Sequence, residues 1–458
     1  MTEVFESNVA VVGAGHVGLT TAACLASLGH RVVCADVDVA KVDGLARGQT
    51  GIREPGLSEL VADGLTTSRL KFVFGAAAAA PTADVVFLCV PTPMGTDGAA
   101  DLTAVEAAVR EIRGLLPSGC VVVNKSTVPV GTAARTAELL DRADVAVASN
   151  PEFLREGSAV EDFLNPDRIV IGARDPGAAD RVAALYEGLG APVLRTGWAS
   201  AEITKYASNA YLATRLSFVN SIAELCERAG ADIGDVTLGM GHDRRIGTSF
   251  LRPGPGWGGP CLPKDTHALL RSAEALGGEF PLLRAAIDTN ARQRDLVVER
   301  VREAVGGRFA GVRVGLLGLT FKAGTDDVRD SPALAVAARM AAEGAELVAH
   351  DPAVPGPLPG ALSDAPPGDR DRIRVVETAY AAADGAAALV VLTEWPEFRD
   401  LDWKRIAGLL LGESVIDTRN VLDASVLDEA GLSCRGVGRP APRDPDLAAR
   451  RPGGVVAG

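Results

Sequence analysis

The stretch NVAVVGAGHVG at residues 8–18 joins a β-rich apolar run to a glycine-rich turn. An Ala- and Leu-rich segment with a helical pattern follows at residues 19–28, and Gly29 supplies the residue type that commonly ends a helix. A second apolar run at residues 31–35 then ends at Asp36. This order of strand, turn, helix and strand predicts a βαβ unit near the amino terminus.

The pattern of alternating strands and helices continues through the amino-terminal half. Further strands are predicted at residues 85–90, 121–123 and 145–148, with helical segments between them. Because such alternation is typical of a mainly parallel sheet covered on both faces, the region predicts a doubly wound fold. Residues 198–230 then form one helical stretch without internal Gly or Pro. At about 45 Å, a helix of this length is expected to be a spine between domains.

The alternating pattern restarts in the carboxy-terminal half. A strand and glycine turn at residues 312–318, a helix at 332–343 and a strand ending at Asp351 resemble the layout of residues 8–36. We therefore predict an α/β fold with two Rossmann-like doubly wound domains joined by a long central helix. The predicted divisions are residues 1–197, 198–305 and 306–438, followed by a flexible tail at 439–458.

The composition is that of a globular multidomain protein. The chain has 458 residues, of which 47% are apolar and 23% charged, and this excludes a single small module or a largely disordered protein. Its net charge of −13 disfavours binding to a nucleic-acid backbone. The longest apolar runs are far shorter than the roughly 20 residues that cross a bilayer. Because the chain also opens without a signal-peptide pattern, we expect a cytoplasmic protein that binds neither nucleic acid nor membrane.

The glycine turn is a candidate dinucleotide site. Gly13 would permit the tight turn, Gly15 would let the backbone approach a pyrophosphate, and Gly18 would let helix and strand pack closely. Asp36 would accept hydrogen bonds from ribose hydroxyls and repel a 2′-phosphate, which favours NAD over NADP. The alternative, glycines that only turn the chain, is the preferred interpretation of the second glycine turn, at residues 315–318.

Cys261 is the candidate nucleophile. Six of the seven cysteines lie in strand-like or helix-like segments or near the carboxyl terminus, where a small core residue is the simpler interpretation. Cys261 lies instead in the loop RPGPGWGGPCLPKD at residues 252–265, whose glycines let a ligand come close. In a chain that binds NAD, this thiol suggests covalent catalysis through a thiohemiacetal and a thioester. The scattered cysteines form no CxxC pair, so neither disulfides nor a metal site is predicted.

Other polar residues are expected at the carboxyl edge of the first sheet. The motifs VPTP at residues 90–93, KSTVP at 125–129 and PEFLREG at 151–157 each follow a predicted strand. Open α/β proteins bind ligands at this edge, so these segments together are expected to line one crevice. Lys205 and Asn209 lie four residues apart on the long helix and could converge on one group, although a solvated helical face is the simpler interpretation of this pair alone.

With these motifs, the chain resembles the UDP-glucose/GDP-mannose dehydrogenase family over roughly residues 8–435. The resemblance rests on the motifs GAGHVG, VPTP, KSTVPVGT, NPEFLREG, NPDRIVIG, AEITKYASN, RRIG, GPGWGGPCLPKD and FKAGTDDVRDS, which occur in this order. It implies an amino-terminal NAD domain, a central helical domain used in homodimerisation, and a carboxy-terminal domain that contributes to a nucleotide-sugar site.

The resemblance also implies the reaction. Two NAD⁺ in succession would convert the C6 alcohol of a nucleotide hexose to a carboxylate, most simply UDP-glucose to UDP-glucuronate. The same chemistry on dTDP-glucose or GDP-mannose stays open, as does the pathway served, polysaccharide or glycosylated secondary metabolite. Two other readings are a one-step hydroxyacid dehydrogenase of the 6-phosphogluconate type, which needs no cysteine, and a non-catalytic sensor of NAD or nucleotide sugar.

The resemblance assigns roles by matching position. Cys261 would be the nucleophile, Lys205 and Asn209 would stabilise the developing oxyanion, and Glu152 would assist thioester hydrolysis. Asp265 would act as acid and base through a water that Thr127 orients. The cofactor-binding set is Gly13, Gly15, His16, Val17, Gly18, Asp36, Lys41, Pro91, Thr92, Thr127, Glu156, Lys264 and Arg329. The substrate-binding set is Glu152, Phe153, Leu154, Arg155, Glu156, Lys205, Asn209, Arg245, Phe250, Leu251, Arg252, Gly256, Trp257, Gly258, Cys261, Phe321, Lys322 and Arg419.

Overall fold

The structure is a computed structural model that describes residues 6–356 and 373–440. The chain divides into two compact units. The first unit holds the chain up to Ala210 together with Lys264–Phe280, and the second unit holds Tyr211–Pro263 and the chain from Pro281 onward. The division falls inside one long helix.

The first unit is built on an eight-stranded sheet in the order β3-β2-β1-β4-β5-β6-β7-β8. All neighbouring strands pair in parallel except β6 and β7, which are antiparallel. The strands are β1 Asn8–Val12, β2 Arg31–Asp36, β3 Leu70–Phe74, β4 Val85–Leu88, β5 Val121–Asn124, β6 Ala146–Ser149, β7 Ile169–Ala173 and β8 Val193–Thr196.

Helices cover both faces of this sheet. They are α1 His16–Ser27, α2 Val39–Ala46, α3 Leu57–Thr66, α4 Ala76–Ala79, α5 Thr103–Ile112, α6 Thr132–Leu140, α7 Ala159–Leu164 and α8 Pro176–Ala184. The β1 side chains alternate between two separate cores: Val9 and Val11 belong to one, Ala10 and Val12 to the other. Because both faces of each central strand are buried, the strands read as continuous apolar runs.

One helix of 32 residues, α9 Trp198–Ala229, is about 48 Å long. It is followed by α10 Ile233–Gly241, α11 Leu262–Ala275 and α12 Pro281–Ala304. The uninterrupted helical pattern predicted for this part of the sequence is therefore confirmed to within one residue at its carboxyl end.

The second unit contains a six-stranded, fully parallel sheet in the order β11-β10-β9-β12-β13-β14. Its strands are β9 Arg313–Leu317, β10 Glu346–His350, β11 Ile373–Val375, β12 Ala388–Val391, β13 Ser414–Asp417 and β14 Ser433–Gly436. Its helices are α13 Pro332–Ala342, α14 Ala379–Ala383, α15 Trp403–Leu409 and α16 Ala424–Glu429. This strand order repeats that of the first six strands of the first unit.

The predicted fold class is confirmed: two largely parallel α/β sheets and a long helix. The residue boundaries proposed for the domains stay a prediction, and residues 441–458 of the predicted tail lie outside the described residues. Within residues 6–356 and 373–440, every helix is too short or too polar to cross a membrane.

Candidate active site

The glycine turn of the first unit has the shape that a pyrophosphate requires. A side chain at Gly18 would place its Cβ 1.8 Å from the carbonyl oxygen of Gly13, so only glycine lets α1 pack this closely on the turn. At Gly15 an added Cβ would meet no atom within 4 Å, which shows that the turn faces open space. The first N–H groups of α1 begin directly after Gly15 and favour an anion there.

Asp36, at the end of β2, is held as an anion beside this turn. Its carboxylate accepts hydrogen bonds from the Ala14 N–H at 2.8 Å and the Asp38 N–H at 3.0 Å, and Lys41 Nζ lies 3.2 Å away. Burial alone would raise the pKa of Asp36, but these hydrogen bonds and the Lys41 charge outweigh burial and hold the pKa below its usual value. The turn and the carboxylate together fit an adenosine dinucleotide with a free ribose 2′-hydroxyl.

The second glycine turn lacks these features. No helix begins at the end of β9, since residues 318–331 form a long loop before α13 starts at Pro332. Asp351, which occupies the place of Asp36, accepts hydrogen bonds from the backbone N–H groups of Leu319 and Thr320 at 2.7 and 3.0 Å. The Asp351 carboxylate is buried and hydrogen-bonded to its own loop, so this glycine turn has a structural role and does not resemble a dinucleotide site.

His16 connects the glycine turn to the NPEFLREG segment through Glu54. His16 Nε2 lies 2.9 Å from a Glu54 carboxylate oxygen, and the N–H groups of Gly157 and Ala159 donate to the same carboxylate at 2.8 Å each. Sequence reasoning missed Glu54, because an acid in a loop far from both motifs gives no signal of where it will lie.

The carboxyl ends of β4 and β5 are also joined. The hydroxyl of Thr92 donates to the backbone carbonyl of Thr127 at 2.9 Å, and both residues are buried, whereas Pro91 is exposed. The predicted meeting of the VPTP and KSTVP segments at one edge of the sheet is therefore observed.

Lys205 and Glu152 form a buried ion pair. Lys205 Nζ lies 3.0 Å from Glu152 Oε1, and the side chains are only 5% and 6% exposed. Glu152 also accepts the Leu154 N–H at 2.6 Å. Burial raises the pKa of Glu152, but the Lys205 charge, the Leu154 hydrogen bond and the Lys125 charge together bring the pKa below its usual value. The carboxylate is therefore ionised although it is shielded from water.

Asn209 contacts a second buried carboxylate. Its side-chain amide donates to Asp265 Oδ2 at 2.6 Å, and Lys264 Nζ lies 2.6 Å from Asp265 Oδ1. Lys205 and Asn209 do lie on one face of α9, but here each contacts its own carboxylate. Four of the residues assigned to catalysis thus form two buried pairs in the first unit, Lys205 with Glu152 and Asn209 with Asp265, and the carbonyl of a fifth, Thr127, contacts Thr92.

In the second unit, Cys261 lies partly exposed immediately before α11. A helix amino terminus favours the thiolate over the thiol. By contrast, burial raises the pKa of the thiols of Cys24, Cys89, Cys120 and Cys434 to about 12. None of the seven cysteines, all of which lie in the described part of the chain, forms a disulfide.

Buried amides brace the Gly/Pro loop that leads to Cys261. Asn290, on α12, accepts the Trp257 N–H at 2.7 Å and donates to the Trp257 carbonyl at 2.9 Å. Gln293 donates to the Gly254 carbonyl at 2.8 Å, and Asn220 accepts the Gly254 N–H at 2.9 Å. Sequence reasoning missed these amides, because their partners are backbone groups of a segment distant along the chain.

The same loop packs on the FKAGTDD segment. A Cβ at Gly259 would lie 2.6 Å from the Phe321 ring, and one at Gly258 would lie 2.1 Å from the Asp330 carbonyl oxygen. Arg419 donates to the Phe321 carbonyl at 3.2 Å. Phe250 has a φ of +56°, a conformation that a bulky residue rarely adopts and that often marks a functional position. The second unit therefore gathers Phe321, Arg419 and the glycine-rich loop.

Four arginines assigned to ligands lie at the surface. Arg155, Arg245 and Arg329 pair with Asp162, Asp243 and Asp327 respectively, and Arg252 is exposed. Their contacts with a ligand stay predictions. Within the described ranges, 6–356 and 373–440, no group of three His, Cys, Asp or Glu side chains could hold a metal ion.

Comparison with known proteins gives the family. Models of the UDP-glucose/GDP-mannose dehydrogenase family match residues 7–190 as its NAD binding domain, 199–292 as its central domain and 315–424 as its UDP binding domain. The chain belongs to this family. It is an NAD-dependent nucleotide-sugar dehydrogenase, as the sequence motifs predicted.

Individual relatives cover nearly the whole chain. A UDP-glucose 6-dehydrogenase of Pseudomonas aeruginosa is 44% identical over 452 residues, which are 94% of this chain and 98% of the relative. A second, from Bacillus subtilis, is 40% identical and covers 95% of this chain and 94% of its own length. A solved UDP-glucose dehydrogenase from the archaeon Pyrobaculum islandicum is 38% identical, with a TM-score of 0.85 over 96% of this chain and 99% of its own.

Proposed function

We propose that the protein oxidises UDP-glucose to UDP-glucuronate in two NAD⁺-dependent steps. The observation that carries this proposal is the 44% identity to a UDP-glucose 6-dehydrogenase over 98% of that enzyme's length. The match of residues 315–424 to a UDP binding domain supports a uridine nucleotide as the carrier of the sugar. The buried carboxylates of Glu152 and Asp265 and the thiol of Cys261 supply the groups that the reaction needs.

Cys261 is proposed to hold the half-oxidised sugar. When bound, NAD⁺ accepts a hydride from the carbon that is oxidised. In the first oxidation the C6 alcohol loses a proton and a hydride and becomes an aldehyde. The Cys261 thiolate then adds to the aldehyde carbon, and the resulting oxyanion takes up a proton to give a thiohemiacetal. The thiohemiacetal loses that proton and a second hydride and becomes a thioester. Water cleaves the C–S bond, which releases the carboxylate and restores the thiol.

The polar residues of the first unit have complementary roles in this scheme. The Lys205 ammonium and the Asn209 amide stabilise negative charge that develops on the sugar oxygen. Asp265 accepts and returns protons through a water that Thr127 orients. Glu152, ionised and shielded from solvent, accepts the proton of the water that attacks the thioester.

A panel of sugar nucleotides tests the substrate. We expect UDP-glucose to reduce NAD⁺ with kcat/KM at least about 100-fold above that for GDP-mannose, because a site that hydrogen-bonds the uracil leaves polar groups unpaired with guanine. Thymine has the same hydrogen-bonding edge as uracil, so dTDP-glucose should be disfavoured less, through its added methyl group and its missing ribose 2′-hydroxyl. NADH absorbance is the readout. Preferred oxidation of GDP-mannose would overturn the substrate while leaving the reaction class intact.

Asp36 is expected to determine the preference for NAD⁺ over NADP⁺. In the Asp36→Ala variant the ratio of kcat/KM for NADP⁺ to that for NAD⁺ should rise about 100-fold, since a like charge beside the 2′-phosphate costs several kcal/mol. Lys41, now without its 3.2 Å contact to Asp36, would be free to contact that phosphate. An unchanged ratio would show that Asp36 does not face the ribose. Asp38→Ala, two residues along, is the matched control.

We further propose a homodimer formed through the long helix. On the second-unit part of α9, Tyr211, Phe218 and Leu225 recur every seventh residue and are 62%, 50% and 60% exposed. Such an apolar stripe on a charged helix is typical of a surface that another copy covers. A cytoplasmic location stays a prediction from the sequence.

The dimer is tested by placing a charge on the stripe. Phe218→Glu should convert the protein to a monomer in analytical ultracentrifugation, because a carboxylate would be buried without a partner. Glu224→Gln, on the same helix, should leave the oligomeric state unchanged. A wild-type protein that sediments as a monomer would contradict the proposal.

A further inference from the structure

Lys125 is a buried cation to which the reaction scheme gives no role. It directly follows β5 and is only 4% exposed. Its ammonium donates to Asn150 Oδ1 at 3.1 Å and to the Tyr186 hydroxyl at 3.2 Å, both neutral partners. Among the side chains that the structure describes, no carboxylate forms an ion pair with it. A buried charge without a counter-ion is costly for the fold, so its presence suggests a function.

The surroundings of Lys125 stabilise a charge without neutralising it. The rings of Phe87, Phe163 and Tyr186 have their centroids 5.9, 5.8 and 5.6 Å from Nζ, within the range of cation–π attraction. Burial lowers the pKa of Lys125 to about 8, with Cys89 and Glu152 opposing that shift and Lys205 adding to it. The side chain is therefore mostly protonated at neutral pH.

Hydrogen bonds lock the Lys125 side chain beside the segment that carries Glu152. Strands β5 and β6 are neighbours, with Asn124 opposite Ser149, so the residues that follow them, Lys125 and Asn150, lie side by side. The Asn150 amide donates to the Val170 carbonyl at 2.8 Å, which turns its oxygen toward Lys125. The Tyr186 hydroxyl donates to that same oxygen at 2.5 Å.

Glu152 therefore has one buried cation in direct contact, Lys205, and a second, Lys125, hydrogen-bonded to Asn150 two residues before it. In the proposed function, Lys205 stabilises negative charge on the substrate. During that step the Lys205 ammonium interacts with the substrate oxygen as well as with the Glu152 carboxylate. A second cation held in place by hydrogen bonds would favour the ionised carboxylate during that step.

We propose that Lys125 is a positioning residue that keeps Glu152 ionised for thioester hydrolysis through its fixed charge. The inference rests on the proposed role of Glu152. The proposal requires that the charge of Lys125 affects the pKa of Glu152 more than the hydrogen bonds of Lys125 do. It also requires that removal of this charge changes the protonation of Glu152.

The test is the Lys125→Met variant, which keeps the length of the side chain and removes the charge. Infrared difference spectroscopy of the enzyme without substrate reports the Glu152 carboxyl, assigned by its absence in Glu152→Gln. We expect the midpoint of Glu152 protonation to move up by about one pH unit in Lys125→Met. The acid limb of the kcat profile should move in the same direction, and acyl-Cys261 should accumulate at low pH in intact-protein mass spectra.

Tyr186→Phe is the matched control, because it removes a hydrogen bond of Lys125 and retains the charge. Its Glu152 midpoint should stay at the wild-type value. An unchanged midpoint in Lys125→Met, or an equal shift in both variants, would overturn the proposal. If Lys125→Met fails to fold, Lys125→Ala with and without added ethylamine replaces it, and restoration of the midpoint by the amine is expected.

The infrared titration needs no turnover. If the wild type forms no UDP-glucuronate, the proposed function fails while the titration still decides whether Lys125 controls Glu152. Thermal unfolding distinguishes an electrostatic role of Lys125 from a purely structural one. Lys125→Met should melt no lower than wild type at pH 7, because a buried charge has been removed. If the lysine were purely structural, the variant would show a lower melting temperature and an unshifted Glu152 titration.

Discussion

Replacing Cys261 with serine is expected to lower kcat for UDP-glucuronate formation by about 10³-fold or more. A serine hydroxyl is a far weaker nucleophile than a thiolate, so the aldehyde would no longer be captured before the second oxidation. Initial-rate measurement of NADH formation checks the loss, and intact-protein mass spectra of quenched reactions should show a sugar adduct on wild type and none on Cys261→Ser.

Cys434→Ser is the matched control for this experiment. Cys434 and Cys261 are the two partly exposed cysteines, but burial raises the pKa of Cys434 to about 12, which makes its thiol unreactive. The control should retain wild-type turnover. Full activity in Cys261→Ser would instead favour a one-step dehydrogenase that needs no cysteine.

Replacing Lys205 with methionine is expected to reduce both activity and stability. The variant leaves Glu152 buried without its 3.0 Å partner, and breaking a buried ion pair from one side costs about 3–5 kcal/mol. Loss of the cation that stabilises the oxyanion should lower kcat by about 10²–10³-fold. Urea unfolding and initial rates are the measurements.

The effect of Lys205→Met on stability depends on pH. In the wild type the lowered pKa of Glu152 contributes stability that is present above the unfolded value, about 4.3, and is lost as pH falls through the lower folded value. The stability deficit of Lys205→Met should therefore be greatest at neutral pH and shrink as the solution is acidified. The double variant Lys205→Met/Glu152→Gln should recover most of the stability and none of the activity. A deficit that does not depend on pH would show that the ion pair is not its cause.

Local sequence patterns were sufficient for the fold and for the dinucleotide turn. Continuous apolar strands, the spacing of Gly13, Gly15 and Gly18, and the absence of Gly or Pro from the long helix each act over short distances along the chain. The shared helical face of Lys205 and Asn209 follows from their spacing of four. That Lys205 would pair with Glu152 and Asn209 with Asp265 could not be predicted, because the spacing of residues on a helical face does not show which loop packs against it.

The residues that sequence reasoning missed act on backbone groups or lie in loops. Asn290 and Gln293 hold the cysteine loop through its main chain, and Glu54 joins His16 to a distant loop in the same way. An amide or acid whose partner is a peptide group leaves no complementary side chain to recognise in the sequence. Lys125 lies inside the KSTVP motif, yet only its burial, without a carboxylate partner among the described side chains, distinguishes it from a surface lysine.

The stoichiometry of the reaction shows whether one enzyme carries out both oxidations. With limiting UDP-glucose and excess NAD⁺, we expect two NADH for each UDP-glucuronate formed, with no free aldehyde captured by a hydrazine reagent. One NADH per sugar, or an aldehyde that accumulates in solution as the end product, would contradict it.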